Sequence, residues 1–387
     1  MRKRVKLRMV MLEDVRILDF SHVYFGPYAT MILGDMGAEV IKIEPPWGEM
    51  ARLYPPLFGG MSSVFLYLNR NKKGMTLNLK DPRAVEIALK LAEKSDVLVE
   101  NFKRGTMDKL GLGYEDVKKV NSDIIYASLS GFGLYGPYYS RPSFAPIASS
   151  MSGWYRLTGD IIDPNGPPIR PAEWHGDLDP ALWAVISIFG ALRYRDKTGE
   201  GQLIDVSQLD CMIAQTGVSI TRYMLSGELP WQAERKYMGL NTFGMFKAKD
   251  GWVYIAAEPQ MMDRLLRAMR VNSLEKQEQL EKWIAERRVS EVVDAMVSES
   301  VPVAPILQIN ETVEDPHVKA RGTIVEMDHP TAGKVKMPGF PVKFSNYKAA
   351  IRMPAPILGQ HNDEILTKLL GYSKEKIDEL RKSGVIT

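Results

Sequence analysis

The strongest constraint on this chain is a repeated alternation of short apolar runs and amphipathic stretches in its first third. Residues 15–20 (VRILDF) make an apolar run of strand length, followed by HVYFGP, a turn containing Gly26 and Pro27. The next stretch, YATMILGDMGAEVIKIE, reads as a helix closed by Gly37 and a second strand at 40–43. The order then repeats in LNLKDPRAVEIALKLAEKSDVLVENF, with a helix opened by Asp81-Pro82 and a strand at 97–99. An aspartate followed by proline suits a helix start, because the carboxylate accepts an orphan N–H and proline lacks only a donor that would go unused. A helix around 114–120 and a strand in IIYASLS follow. Strands separated by helical crossovers lie parallel, so the segment predicts a doubly wound α/β domain with ligands at the carboxyl ends of its strands.

The later chain departs from this pattern and returns to it. KTGEGQLIDVSQLD gives a turn and a strand, and a helix is expected through 211–224. Residues 227–239 are polar, with Pro230 and Trp231, and suit a domain boundary. Beyond them, MFKAKDGWVYIAA reads as a hairpin turning at Lys249-Asp250-Gly251, with amphipathic helices at 261–269, 277–287 and 289–298. A β-rich stretch, GTIVEMDHPTAGKVKMPGFPVKFS, then leads through PAPILGQHNDEIL to a last helix near Ser383-Gly384. The expected organisation is a large α/β domain from 10–227 and 326–387, with a smaller α+β domain, 228–325, inserted between them. A chain of 387 residues suits two domains better than one core.

Composition narrows the class. The net charge of +3, with both signs spread along the chain, argues against nucleic acid or a membrane surface as the main partner. The exception is MRKRVKLR at the start, which no signal-length apolar run follows; it reads as a solvated tail or a mis-assigned start, with Met9 and Met11 as alternatives. The single cysteine, Cys211, excludes an internal disulfide and a thiolate zinc cluster and suits a cytoplasmic protein. The five histidines lack metal-ligand spacing. Gly131, Gly133 and Gly136 form a literal G-x-G-x-x-G, but Pro137 and Pro142 prevent the helix that a pyrophosphate site needs, so the motif reads as an irregular loop.

One stretch concentrates chemical potential: RPAEWHGDLDPALWAVISIFGALRYR, residues 170–195. Asp179-Pro180 reads as a helix N-cap and first residue, and the apolar run at 182–192 predicts a helix buried nearly all round. Asp177 follows Gly176 and precedes that cap by two residues, near the positive end of the helix dipole. That position is expected to keep its carboxylate ionised and to offer N–H groups to an oxyanion. From these residues alone, Asp177 is either a reactive carboxylate or a second capping residue.

Taken together, HVYFGPYATMILGDMGAEVIKIEPP, LNLKDPRA, VENFKRGTMDKLGLGYEDV, SLSGFGLYGPYYSRPSF, MSGWYRLTG, GDLDPALWAVISIFGALRYRDKTGEGQLIDVSQLD and LGQHNDEIL resemble the class III CoA-transferases, a family that includes formyl-CoA transferase, carnitine CoA-transferase and α-methylacyl-CoA racemase. The resemblance runs in order along nearly the whole chain. It implies a Rossmann-like large domain built from both chain ends, a smaller inserted domain, and two interlocked subunits, a homodimer or a heteromer. It also implies that Asp177 attacks an acyl-CoA and becomes an aspartyl-CoA thioester. Coenzyme A, a substrate rather than a resident cofactor, would lie along Val23, Tyr24 and Phe25, along Leu77, Asn78 and Lys80, and along Asn101, Phe102 and Lys103, with Lys109 and Arg141 as further basic candidates. Lys80, Lys103 and Arg104 also read, without the family, either as cations at strand ends facing phosphates or as exposed basic residues on a helix-rich surface.

The sequence departs from the family at four points. Racemase members carry a catalytic histidine about where this chain has Pro142-Ser143-Phe144, which counts against racemisation. Many transferases have an acid where Ala145 stands, so a supporting carboxylate is missing. The glycine-run loop of formyl-CoA transferase is replaced by YMGLNTFGMF, and its basic residue at position 45 by Pro45, which argues against oxalate or formate. Trp154, Trp174 and His175 flank Asp177 in sequence and point to a larger or less polar acid. The expected reaction is CoA transfer from an acyl-CoA to a carboxylic acid; the alternatives are an acyl-CoA racemase and a non-catalytic CoA-binding subunit of a heteromeric transferase.

Overall fold

The computed structural model describes residues 11–232 and 240–387. The basic start of the chain and residues 233–239, which include the beginning of YMGLNTFGMF, lie outside the described residues. Two compact units are distinguished: Ser226–Gly322, and the residues up to Leu225 together with Thr323–Thr387.

The first unit runs β1 (Arg16–Asp19), α1 (Phe25–Asp35), β2 (Glu39–Glu44), the small hairpin β3 (Leu57–Phe58) and β4 (Met61–Ser62), α2 (Ser63–Leu68), β5 (Lys72–Thr76), α3 (Pro82–Glu93) and β6 (Val97–Glu100). It continues through α4 (Thr106–Lys109), α5 (Tyr114–Val120), β7 (Ile125–Ser130), α6 (Ala145–Met151), α7 (Trp154–Ile162), α8 (His175–Thr198), β8 (Gln202–Ser207), α9 (Gln208–Gln215) and α10 (Gly217–Ser226). Six strands form one sheet in the order β5-β2-β1-β6-β7-β8, every neighbouring pair parallel. The chain winds outward from β1 to one side and from β6 to the other, so the topological switch point lies between β1 and β6.

Alternate residues feed opposite faces of this sheet, as the pleat requires. Leu18, Ile41, Leu98 and Tyr126 face a core with α3, α5 and the C-terminal helices Asn362–Leu370 and Lys374–Lys382. Ile17, Val40, Val97, Val99, Ile125 and Ala127 face the other core, covered by α1 and α8. The expected Asp81-Pro82 start is present: the Asp81 carboxylate accepts the Arg83 N–H at 2.9 Å. The returning chain shields the edge strand β5, since His361 Nδ1 accepts from Gly74 N and Asn362 Oδ1 from Thr76 N. The helix expected at 211–224 is two helices, α9 and α10, interrupted at Thr216, whose hydroxyl is drawn to Ser152 O and Ile213 O.

The smaller unit holds a three-stranded antiparallel sheet of β9 (Phe243–Lys247), β10 (Trp252–Ala256) and β11 (Val303–Pro305). Helices Met262–Met269, Gln277–Ala285 and Val289–Ser298 pack on it around Val253, Ile255, Leu265, Ile284 and Met296.

Among the described residues of the large unit, three ion pairs have both side chains buried: Lys42–Glu49 at 2.8 Å, Lys72–Asp19 at 3.0 Å and Arg70–Asp35 at 2.7 Å. Breaking such a pair strands the surviving charge. Replacing Lys42 by Met leaves Glu49 buried without its cation, and is expected to lower the stability of the large unit by about 3–5 kcal/mol. The measurement is the denaturant midpoint of the unfolding transition; an unchanged midpoint contradicts the assignment.

Candidate active site

At the carboxyl end of β1 the chain enters a tightly held loop. Asp19 accepts hydrogen bonds from Ser21 N and from the Ser21 and Thr30 hydroxyls. Against burial, which would raise it, the Lys72 and Lys42 ammonium groups hold the Asp19 carboxyl at about 2. His22 is tied to the end of β6 by a reciprocal pair: His22 N donates to Asn101 Oδ1 at 2.7 Å, and Asn101 Nδ2 donates to His22 O at 2.8 Å. The next residue, Val23, has φ +70°, an unfavourable region for a β-branched side chain. Its N–H is held by Glu49 Oε2 at 2.7 Å. Burial would raise the Glu49 carboxyl, but the Lys42 charge holds it below the usual range. The loops after β1 and β6 are thus joined at the switch point, with Tyr24 at the N-cap of α1 and Phe25 at its first position.

Helix α8 starts at His175, four residues before the expected cap at Asp179. Pro180 lies inside the helix and forgoes the bond to the Gly176 carbonyl that a residue with an N–H would make. Pro180 is buried, Ala181, Ala184 and Val185 join the core beneath the sheet, and Asp179 faces His175 Nδ1 at 3.4 Å instead of capping. The helix is also not buried all round in one chain. One face is covered by the core, while Leu182, Trp183 and Tyr194 are exposed and Ile186 is 59% exposed. Gly176 is required by close approach: a Cβ there would lie 2.2 Å from the Ala145 carbonyl oxygen. The start of α6 therefore presses on the first turn of α8, and Ala145 stands beside Asp177.

Asp177, at the third helical position, is half-buried and reaches two adjoining cavities. One, of about 530 Å³, has largely apolar walls that include Tyr24, Tyr54, Val64, Phe144, Ala145, Pro146 and Trp174. The other, of about 250 Å³, is bordered by His22 to Phe25, Asn101, Phe102, Lys103, Ser143 and Gln208. The Asp177 carboxyl is not held ionised as expected from the helix dipole. Burial in the cleft pushes it up to about 7, and the hydrogen bond from Gln208 only partly offsets this. The Asp177 N–H is itself given to Trp174 O at 2.8 Å, leaving His175 and Gly176 as the residues whose amides open the helix.

Of the candidates read from the sequence, Val23, Tyr24, Phe25, Asn101, Phe102 and Lys103 surround the cavities that reach Asp177. Leu77 is buried in the core, and Asn78 and Lys80 follow β5 at the sheet's edge. Lys109 is exposed at the end of α4, and Arg141 stacks its guanidinium 3.7 Å from the centre of the Tyr138 ring. None of these five borders either cavity. Trp174 lines the larger cavity, while Trp154 lies against His175 with ring centres 5.8 Å apart. Lys103 also borders a third cavity, with Arg104 and Glu100, whose carboxyl burial pushes up to about 7.

Sequence reading missed Gln208. It opens α9 behind the Ser207 cap, and its Nε2 donates to Asp177 Oδ1 at 2.5 Å. The glycine-rich loop explains how it is placed. A Cβ on Gly131 would lie 2.1 Å from Ser143 Cβ, and the Gly131 carbonyl accepts from Leu209 N at 3.1 Å. The motif that imitates a dinucleotide fingerprint instead seats Ser143 and the start of α9 against the site. Its only sequence signal was a polar residue directly after a helix-capping serine. Among the described residues, no helix is long and apolar enough to cross a membrane and no acid, histidine or cysteine cluster could hold a metal.

The pattern of CoA-transferase family III matches residues 12–362 of the chain. The chain is 35% identical over 395 residues to human succinyl-CoA:glutarate CoA-transferase, covering 97% of this chain and 90% of that protein. It is 34% identical to succinyl-CoA:mesaconate CoA-transferase of Haloarcula marismortui, covering 92% and 95%. Its fold resembles the crystal structure of a CAIB/BAIF family protein from Brucella suis, with a TM-score of 0.81 and 28% identity over 92% of this chain and 98% of that one. A Rossmann-ordered sheet with a desolvated aspartate beside its switch point, joined to matches of this extent, identifies the chain as a CoA-transferase of family III.

Proposed function

We propose that this transferase works through an aspartyl-CoA thioester on Asp177, moving CoA from an acyl-CoA to a carboxylic acid larger or less polar than oxalate. The observation that carries the reading is a lone carboxylate at the meeting of two cavities, its carboxyl raised to about 7 by burial. Near neutrality a substantial fraction is ionised, and that anion is a stronger base and nucleophile than a solvated carboxylate. One carboxylate oxygen attacks the donor thioester carbonyl and CoA thiolate leaves, giving a mixed anhydride. The thiolate attacks Asp177 Cγ and expels the donor acid, leaving the aspartyl thioester. The acceptor carboxylate then attacks Cγ and expels the thiolate, which takes the acceptor acyl group and restores Asp177. Each acyl form of Asp177 is neutral, so its formation removes the cost of a desolvated anion.

CoA is proposed to follow the switch point along Val23 to Phe25 and Asn101 to Lys103, where the smaller cavity lies. Leu77, Asn78, Lys80, Lys109 and Arg141 remain candidates for its outer parts. The apolar walls of the larger cavity support an acid bigger than oxalate, and succinyl-CoA is the first donor to test because the two transferase relatives described above carry it in their names. Ala145 supplies no second carboxylate beside Asp177. The racemase alternative lacks its histidine, since Ser143 and Phe144 occupy the segment where that residue would stand, and would need another base. The exposed apolar face of α8 supports burial by a second chain, in a homodimer or heteromer.

Replacing Asp177 by Asn is expected to abolish transfer from succinyl-CoA to glutarate and a panel of other acids, by at least about 10³-fold, while CoA binding by equilibrium dialysis persists. Near-normal turnover would overturn the mechanism. In the wild type, single-turnover attack on the donor rises as pH passes through about 7, where Asp177 loses its proton.

The same substitution has an opposite effect on stability. A carboxyl raised from 3.8 to about 7 binds its proton more tightly folded than unfolded, so wild-type stability falls as pH climbs between those values. The neutral asparagine escapes that loss. Above pH 7 the Asn variant should therefore unfold at higher denaturant concentration than the wild type, and a lower midpoint would contradict the burial assigned to Asp177.

A further inference from the structure

We propose that Gln208 is a catalytic residue, the oxyanion donor for the steps in which Asp177 Cγ is attacked. The proposal rests on the covalent role of Asp177 given above. Among the described residues, Gln208 is the one side chain hydrogen-bonded to the Asp177 carboxylate, through Nε2 to Oδ1. It is almost wholly buried, with 4% exposure, and borders the smaller cavity together with Asp177.

The direction of the amide is favoured from behind. The Ser143 hydroxyl, shared between Gln208 Oε1 at 3.3 Å and the Phe144 carbonyl at 3.4 Å, favours the orientation in which the NH₂ end faces the aspartate. Ser143 in turn sits against Gly131 at a distance that admits no side chain on that residue. The donor is therefore preorganised: loop, serine and amide are in place before any substrate arrives, and nothing needs to reorient as charge develops.

The two oxygens of Asp177 have different fates in the reaction. The oxygen that attacks the donor bridges the mixed anhydride and leaves with the donor acid when thiolate attacks Cγ. The other remains on Cγ as the carbonyl oxygen of anhydride and thioester. When thiolate adds to the anhydride, and again when the acceptor carboxylate adds to the thioester, the electron pair of that C=O bond moves onto this remaining oxygen. It returns as the carbonyl re-forms and the leaving group departs. Oδ1, held by Gln208, is the oxygen placed to remain, which leaves Oδ2 to attack. In the first step, attack on the donor thioester, the negative charge develops on the donor's own carbonyl oxygen, outside the reach assigned to Gln208.

This asymmetry gives a test that a general loss of structure would not mimic. Gln208→Leu removes the donor with little change in volume. Enzyme is mixed with succinyl-CoA, then with acetyl-CoA and longer acyl-CoAs, at a pH well above the Asp177 midpoint of about 7, so that Asp177 is ionised in every variant. Donor hydroxamate released by a hydroxylamine quench reports the anhydride, after subtraction of the background given by Asp177→Ala. Protein mass carrying CoA reports the thioester.

The expected result is anhydride formation within a few-fold of wild type but thioester formation slowed by about 10²–10³-fold, the usual loss of one oxyanion donor. Ser143→Ala, which frees the amide to turn, should show the same pattern more weakly. Retained anhydride formation also shows that the variant is folded. If wild type forms the Asp177 thioester and Gln208→Leu slows both steps equally, or neither, the oxyanion role is overturned and Asp177 chemistry stands. If wild type forms neither species with any donor, the Asp177 reading itself fails, and this proposal with it.

Discussion

The site depends on the buried Lys42–Glu49 ion pair. Both side chains are fully removed from water, and each does a second task at the switch point. Lys42 donates to the Ser21 carbonyl at 2.8 Å, and Glu49 accepts the N–H of Val23 in its left-handed conformation. A β-branched residue persists in that region only where its surroundings over-determine it. Here the carboxylate, the His22–Asn101 clasp and the start of α1 do so together. A buried ion pair is weak evidence for added stability. Its worth here lies in geometry: it fixes the backbone that forms one wall of both cavities around Asp177.

Against that rigid wall, Asp177 is held in an environment unfavourable to its own charge. Moving a carboxyl from 3.8 to about 7 disfavours the anion by a few kcal/mol. An acyl intermediate carries no charge on the same side chain, so the site favours the covalent forms over the resting anion. The cost of that arrangement is borne by the fold as a whole, through the sheet and the packing of α6 on α8. Gly176 makes the approach possible, since any side chain there would meet the Ala145 carbonyl.

Much of this could be read in the sequence, and the misses have physical causes. The parallel strands, the Asp81-Pro82 start and the hairpin through Asp250 are local patterns, and the six-stranded sheet follows from their order. Asp177 stood out because acid, glycine and helix start fall together. The start of α8 was misplaced because Asp-Pro is a strong local signal that burial of Pro180 inside a longer helix overrides. The ionisation of Asp177 was misjudged because a helix dipole is visible in sequence and desolvation is not. Gln208 was missed because its partner is distant in sequence and its orientation depends on Ser143 and a glycine loop that resembled another motif. The exposed face of α8 shows the limit of periodicity, which marks a residue as apolar without saying which chain covers it.

The most direct test is peptide mapping of the enzyme after reaction with acyl-CoA donors and reduction with borohydride. The aspartyl-CoA account predicts that the peptide containing Asp177 is recovered with its carboxyl reduced to the alcohol, and that no other acid is modified. An unmodified Asp177 peptide from enzyme that is turning over, or reduction at a different carboxylate, would contradict it.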